Sequence, residues 1–321
     1  MAIDRRTLLA GLAALPFAAH AGERTAALFA CGRDAEGDAV FGLDAAGDIV
    51  WRKAMPGRGH GMALSAIGDT LYVSARRPGR WVMTIDLRRG DTTIWPADDV
   101  EYGGHAVDLG DGRLALTASD ADGRGTVAVL DTESGRRVAL WETGGVDPHE
   151  LLLVGSDLVV ANGGGPVELS SLARLDLRAG AVEAKRETAV DRLSLRHLAR
   201  LPGDVVAVVA QDRGTADPAL PLLALWRGGD IDWIDLGRVQ GQLRGYCGAV
   251  AAQGDRLCVT SPHGALALEH PGTLAHRLPD VCGVAPLGSG FTLSGGRGDV
   301  ILPDGRRRRH AVAWDNHLKA A

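Results

Sequence analysis

Short apolar segments recur along this chain, and each is bounded by Gly, Pro or Asp. Four such segments follow His60 in close succession, and each contains the β-branched or aromatic residues that favour strands. In chain order they are Gly61–Ala66, Thr70–Ala75, Trp81–Leu87 and Thr92–Trp95. The pattern predicts four β-strands joined by tight turns.

The four-strand unit repeats along the chain. Counted from His60, it begins again at intervals of 45, 44, 48, 50, 35 and 35 residues, at His105, His149, His197, Cys247, Cys282 and His317. The strings Ile85–Gly90 and Leu175–Gly180 are nearly identical, as repeats should be. Four strands in about 40 to 45 residues is the size of one β-propeller blade.

The two ends of the chain together supply one more blade. Three strands are predicted before His60, at Ala26–Ala30, Ala39–Asp44 and Asp48–Trp51, and one short segment, Leu318–Ala321, follows His317. Pairing that segment with the first three strands closes the circle and removes exposed sheet edges. We therefore predict an all-β fold over residues 22–321, a seven-bladed β-propeller with four-stranded blades, closed by the C-terminal strand joining the N-terminal blade.

Residues 1–21 have the pattern of an export signal. Arg5 and Arg6 precede an apolar run, and Ala19-His20-Ala21 offers small residues at the two positions that signal peptidase reads. The run is too short to span a membrane, and no other segment is long and apolar enough to do so. The paired arginines favour the twin-arginine route to the periplasm, with an ordinary signal carrying two chance arginines as the alternative.

Composition narrows the possible partners. A net charge of −5 argues against nucleic acid or an anionic membrane as the main partner. The 44 glycines and few aromatic residues suit many short strands joined by turns.

In an oxidising compartment Cys247 and Cys258 are placed to pair within one hairpin, although the four cysteines allow three complete pairings.

One position of the repeat concentrates the candidate chemistry. The residue just before each predicted innermost strand is histidine in five blades and cysteine in two, and the set is His60, His105, His149, His197, Cys247, Cys282 and His317. Innermost strands surround the propeller axis, so these side chains should converge at the mouth of the central channel. Imidazole and thiolate ligands suit iron, copper or zinc and disfavour calcium and magnesium, which prefer oxygen.

The ring is expected to divide its roles. His149 and His197, on adjacent blades, should share an ion with at least one of His60, His105 and His317. A first-row ion takes about four to six ligands, so some of the five histidines should orient others or bind a second ion. Cys247 and Cys282 are ligand candidates for which a disulfide or simple burial is the alternative. Residues at the ends of the second strands should surround the same mouth and orient some imidazoles: Arg76, Arg77, Asp120, Asn162, Gln211, Asp212 and Ser261.

A purely structural role for the histidines is the competing interpretation. Some propellers carry a Gly-His pair before each inner strand that hydrogen-bonds an Asp of the blade, and Gly59-His60 and Gly104-His105 are of this type. Those families repeat a Trp-Asp pair at the third strand, whereas here Trp-Asp occurs only at Trp314-Asp315. The sequence lacks a Gly-x-Ser-x-Gly nucleophile motif. Three functions stay open: a metal-binding protein, a copper or iron redox enzyme, and a protein-interaction scaffold.

Several motifs together resemble an exported propeller family, domain of unknown function 1513. They are Pro148–Leu151, Val159–Gly164, Leu195–Ala199, Thr260–Pro262, Asp280–Ala285 and Trp314–Leu318. The resemblance covers essentially the whole chain after residue 21. It implies iron handling in the periplasm beside imelysin-type proteins of iron-uptake gene clusters, which makes iron the first choice of metal and copper the second. It implies no particular reaction.

Overall fold

The computed structural model describes residues 25–271 and 274–321, which are built almost entirely from β-strands. The strands of the first half are β1 (Leu28–Asp34), β2 (Gly37–Leu43), β3 (Ile49–Ala54), β4 (Gly59–Leu64), β5 (Thr70–Ala75), β6 (Trp81–Asp86), β7 (Thr92–Pro96), β8 (Glu101–Asp108), β9 (Arg113–Ser119), β10 (Gly125–Asp131), β11 (Arg137–Glu142), β12 (Pro148–Val154), β13 (Asp157–Asn162), β14 (Ser171–Asp176) and β15 (Val182–Glu187). Those of the second half are β16 (Leu193–Leu201), β17 (Val205–Asp212), β18 (Leu223–Trp226), β19 (Ile231–Trp233), β20 (Ala249–Gln253), β21 (Arg256–Ser261), β22 (Leu266–His270), β23 (Leu274–Arg277), β24 (Val281–Leu287), β25 (Gly290–Gly295), β26 (Asp299–Ile301), β27 (Arg307–Arg309) and β28 (Ala313–Ala320). Two short 3₁₀ helices, Pro202–Asp204 and Gly237–Leu243, interrupt them.

The strands form seven antiparallel four-stranded sheets, which are the blades. Blades 1 to 6 use consecutive strands, starting at β4, β8, β12, β16, β20 and β24, and blade 7 combines β28 with β1, β2 and β3. The innermost strand of every blade contacts those of the two neighbouring blades, so the seven surround a common axis. The predicted seven-bladed propeller is confirmed.

Closure of the ring depends on β28. This strand pairs antiparallel with β1, where Leu318 lies opposite Ala30 and Ala320 opposite Leu28. It is longer than the predicted segment Leu318–Ala321, because its pairing with β1 extends back to Ala313, opposite Arg33. Trp314 in this extension is buried and packs edge-on against Phe41 at 5.3 Å between ring centroids. His317 therefore lies within the closing strand and not before it.

Apolar packing between blades holds the ring together. Each blade is covered on both faces by its neighbours, so middle strands such as β10 are buried along almost their whole length. Between blades 1 and 2, for example, Tyr72 and Trp95 pack in one cluster with Leu114 and Leu116. The core lies in these contacts between sheets, which leaves the side chains around the axis available for another role.

The structure tests the predicted disulfide and the prediction that no segment after the export signal spans a membrane. All four cysteines are buried free thiols, so the expected Cys247–Cys258 pair is not formed. In the part of the chain that the structure describes, no helix has the length and apolarity needed to cross a membrane. The predicted export signal, residues 1–21, lies outside the described residues.

Candidate metal centre

Irregular pairing at the start of the inner strands aims the ring residues at the axis. The register of β4 shifts between Gly59 and Met62, which brackets His60, and similar shifts bracket His105, His149, His197, Cys282 and His317. A β-bulge leaves its extra residue unpaired and turns that side chain away from the alternation of the sheet. Each of these inner strands is also paired on the N-terminal side of its bulge. These histidines therefore lie inside the strands and not just ahead of them as predicted.

Five imidazoles from five blades converge on the axis. His105 is at the centre of the group, with ring centroids 4.8 Å from His317, 5.0 Å from His60, 5.1 Å from His149 and 5.3 Å from His197. His60, His105, His149 and His197 are each no more than 7% exposed. The convergence of the five histidines predicted from the repeat is thus present in the fold.

Two overlapping sets of three imidazoles have the spacing that a metal ion requires. The sets are His60, His105 and His317, and His105, His149 and His197, and the ligand atoms within each lie within 4.8 Å of one another. The Nε2 atoms of His60 and His317 are 3.3 Å apart. Two imidazole nitrogens bound about 2.0–2.1 Å from one tetrahedral ion lie about 3.4 Å apart, so this pair is already at ligand spacing.

The central imidazole has an unsatisfied atom. His105 Nε2 is buried and has no hydrogen-bond partner among the described residues. A buried polar atom without a partner is costly, and in native proteins it usually marks a ligand, a water or an ion. His105 belongs to both sets of three, so an ion bound by either set would satisfy this atom. The unpartnered nitrogen of His105 and the imidazoles around it therefore suit a transition-metal ion.

Carboxylates fix the outer nitrogens of two ring histidines. His60 Nδ1 donates to Asp315 Oδ1 at 3.1 Å, and His197 Nδ1 lies 3.1 Å from Glu150 Oε2. A carboxylate that accepts from Nδ1 leaves the Nε2 lone pair free to bind a metal. Glu150 also lies 3.6 Å from His105 Nδ1, so one carboxylate serves two imidazoles.

At His149 the outer nitrogen accepts a hydrogen bond instead of donating one. Arg196 Nη1 donates to His149 Nδ1 at 3.2 Å and to Asp147 at 2.9 Å. An imidazole that accepts at Nδ1 carries its proton on Nε2, so its inward nitrogen has no free lone pair. His149 is therefore the ring member least prepared to bind an ion.

Burial dominates the electrostatics of the ring. It lowers the pKa of His60, and it lowers the pKa values of His105, His149, His197 and His317 well below the usual range, aided by the neighbouring imidazoles and arginines. All five imidazoles are therefore neutral at pH 7, which metal binding requires.

The two carboxylates are affected in opposite directions. Burial raises the pKa of Glu150 to about 7. Burial alone would raise the pKa of Asp315 as well, but the His60 hydrogen bond and the Arg58 guanidinium outweigh burial and hold it well below its usual range. Asp315 is thus an ionised partner of the ring, whereas Glu150 changes charge near neutral pH.

The two cysteines of the predicted ring lie in different surroundings. Cys247 precedes β20, is fully buried, and its Sγ lies 3.9 Å from the Leu222 carbonyl oxygen. Burial raises the pKa of Cys247 far above its usual value and that of Cys282 to about 12, so both are thiols at pH 7. Neither thiol belongs to a group with metal-ligand spacing among the described residues. Their role as ligands stays a prediction, and the geometry favours the histidines.

The residues that orient the imidazoles differ from those predicted. Asn162 bonds Thr143 and Ser171, Gln211 bonds the Cys247 carbonyl, and Ser261 bonds the Leu243 carbonyl, so these three join segments of backbone at the blade ends. Arg77 pairs with Asp147, which also pairs with Arg196, and its charge helps to lower the pKa values of His105, His149 and His197. The partners of the imidazoles are Glu150, Arg196 and Asp315, and each lies within two residues of a ring histidine, which was the signal available in the sequence.

A cavity of about 310 Å³ runs from the ring along the inner strands. His105, His197 and His317 line it beside Glu150 and Lys319. Most of the remaining wall is apolar and comes from residues such as Val107, Leu152, Val250 and Val284. A small molecule in this channel would meet three of the five imidazoles.

Comparison with known proteins places the chain in a family. The family described as "Protein of unknown function (DUF1513)" matches residues 53–321. No curated protein matches the sequence. Among solved structures, hydrazine synthase of Kuenenia stuttgartiensis is similar at 15% identity and a TM-score of 0.62, covering 85% of this chain and 90% of that chain. A putative 6-phosphogluconolactonase from Bacteroides uniformis is similar at 12% identity and a TM-score of 0.64, covering 93% of this chain and 100% of that chain. At such identities the likeness shows the fold alone.

Proposed function

The chain belongs to the DUF1513 family of unknown function, and from that premise we propose that it is a periplasmic metal-binding propeller that serves iron acquisition. One observation carries the proposal: five histidines from five separate blades form two overlapping sets with ligand spacing, and both sets share His105, whose Nε2 has no partner among the described residues. Packing between the blades does not need these side chains, so their convergence calls for a ligand. Iron as the first choice, and imelysin-type proteins as partners, rest on the family resemblance.

The residues of the ring have distinct proposed roles. His60, His105 and His317 would hold the ion, because their inward nitrogens face one another and Asp315 fixes the tautomer of His60. His197, oriented by Glu150, would complete the set. A bound ion would supply Lewis acidity or a redox centre, and imidazole ligands favour iron, copper or zinc over calcium and magnesium.

One observation favours the redox-enzyme alternative. The cavity gives a small molecule a route to His105, His197 and His317, which a site for metal transport alone does not require. Copper is the second choice of metal and would be the expected ion of such an enzyme.

Thermal unfolding in the presence of single metals tests the proposal. A ligand at 100 times its Kd stabilises the folded state by about 2.7 kcal/mol, so Fe²⁺, Cu²⁺ or Zn²⁺ should raise the melting temperature by several degrees, whereas Mg²⁺ and Ca²⁺ should not. The shift should disappear in His60→Gln/His317→Gln and persist in His276→Gln, which lies on the outer strand β23. Equal shifts in all three proteins would leave the structural role of the histidines as the better account, and a response to copper without iron would favour the redox enzyme.

Export is tested at the paired arginines. The twin-arginine route reads both, so replacing Arg5 and Arg6 by lysine should stop export and leave the precursor in the cytoplasm. The measurement is the ratio of precursor to processed protein in cytoplasmic and periplasmic fractions. Normal processing of the double-lysine protein would rule out this route.

A further inference from the structure

The channel beneath the ring contains one charged group, Lys319, that the Glu150 carboxylate influences only from a distance. Lys319, near the end of the closing strand β28, lines the cavity, and its ammonium has no hydrogen bond or ion pair with any residue that the structure describes. An ammonium removed from bulk water needs an acceptor, because burying an unpaired charge is costly. Among the described residues, the half-buried Lys319 thus has no acceptor in direct contact.

Glu150 favours the charged form of Lys319 through its own charge, but it does not contact the ammonium directly. Its Oε2 receives the Leu198 backbone N–H at 2.9 Å and lies 3.1 Å from His197 Nδ1, while its Oε1 faces His105 Nδ1 at 3.6 Å. Both oxygens are thus directed at the ring, and no ion pair joins Glu150 to Lys319 within the described residues. The two groups line the same cavity without touching, which leaves space between the ring and the ammonium.

The shape and lining of the cavity restrict what can occupy this space. A volume of about 310 Å³ is at the small end of ligand sites. Glu150 and Arg200 also line the cavity, but Glu150 is directed at the ring and Arg200 pairs with Asp204. The rest of the wall is mainly Ala, Val and Leu, which offer no side-chain hydrogen bonds to a sugar or a nucleotide. A compact anion with a single charged group fits both the size and the one ammonium.

We propose that Lys319 and the histidine ring together bind a small oxyanion of the carboxylate or carbonate class in the channel. The anion would lie between the Lys319 ammonium and the ion held by the histidine ring, of which His105, His197 and His317 line the cavity, so this inference rests on the proposed metal-binding function. In an iron-acquisition protein such an anion would couple tight metal retention to the presence of a second small molecule.

Calorimetric titration of the metal-loaded protein with sodium bicarbonate and with sodium acetate, at constant ionic strength in chloride, tests the site. We expect at least one of the two anions to bind, and its affinity to fall tenfold or more in Lys319→Met. Lys319→Gln is a second variant in case methionine disturbs the fold, which circular dichroism checks. Lys185→Met is the matched control, because Lys185 lies on the outer strand β15 and pairs with Glu187. It should titrate like the parent.

Metal content, measured on the same samples, distinguishes failure of the anion site from failure of the proposed metal-binding function. Unchanged metal in Lys319→Met together with lost anion binding supports the inference. Equal anion affinity in parent and Lys319→Met, or no binding of either anion to the metal-loaded parent, overturns it. If the parent takes up no metal, the proposed function fails, and the titration is then made on the metal-free protein. There, binding that depends on Lys319 supports the anion site, and its absence overturns it.

Discussion

The metal-free protein is expected to lose stability steeply as the pH falls below 6.5. In the unfolded chain histidine titrates near 6.5, whereas burial lowers the pKa values of the five ring histidines in the folded state. Below 6.5 the unfolded chain therefore binds protons that the folded protein cannot, which favours unfolding. Each such histidine contributes up to about 1.4 kcal/mol per pH unit.

Glu150 opposes this trend in the same window. Its pKa is raised to about 7 in the folded protein from the model-peptide value of 4.5, so between these values the folded state retains a proton that the unfolded chain has lost. Subtracting this one proton from five leaves four protons, which is a net slope of about 5 kcal/mol per pH unit at its steepest. A domain with an ordinary stability of about 5–15 kcal/mol would then unfold between about pH 5.5 and 4.

Urea denaturation of the metal-free protein at pH 7.5, 6.5 and 5.5 measures this slope. Replacing His149 by Gln should reduce it by about one proton, or about 1.4 kcal/mol per pH unit, whereas His276→Gln should leave it close to that of the parent. A free energy of unfolding that stays constant from pH 7.5 to 5.5 would mean that the ring is hydrated or already charged in the folded state.

The repeat explains how much of the site was predictable. Aligning the blades places His60, His105, His149 and His197 at one position because every blade repeats the same strand order, and a side chain at that position must face the axis. The partners of these histidines follow no such alignment. Glu150 follows His149 but lies against His197 of the next blade, and Arg196 precedes His197 but donates to His149.

The bulges, and the different position of the ring residue in blade 5, were not predictable from the hydrophobic pattern. A bulge changes which face of the strand a residue occupies, and alternation of apolar residues does not reveal it. Cys247 matches the ring position in sequence but comes after the 3₁₀ helix Gly237–Leu243 and before β20, so its thiol is buried in the core cluster instead of joining the histidines. The 50-residue interval before Cys247, the longest in the series, contains that insertion.

Replacement of His105 should have the largest effect on metal binding of any single change in the ring. His105 is shared by both sets of three imidazoles, and its ring centroid lies within 5.3 Å of the other four. Loss of a residue that merely orients a ligand typically reduces metal affinity 10- to 100-fold. Loss of a shared ligand should therefore reduce affinity by more than about 100-fold. Loss of His149, whose inward nitrogen carries a proton, should have a much smaller effect.

The fold should tolerate this replacement. His105 Nε2 makes no hydrogen bond to any residue that the structure describes, and the apolar core lies between the blades and not at the axis. His105→Gln keeps a polar side chain of similar size, so circular dichroism and the melting temperature without metal should match those of the parent.

The number of iron, copper and zinc ions bound per chain, determined by elemental analysis after loading and desalting, tests the central claim most directly. Parent, His105→Gln, His149→Gln and His276→Gln are to be compared at pH 7.5. We predict stoichiometric metal in the parent and in His276→Gln, most of it retained in His149→Gln, and none retained in His105→Gln. The same metal content in His105→Gln as in the parent would contradict a metal centre built on the histidine ring.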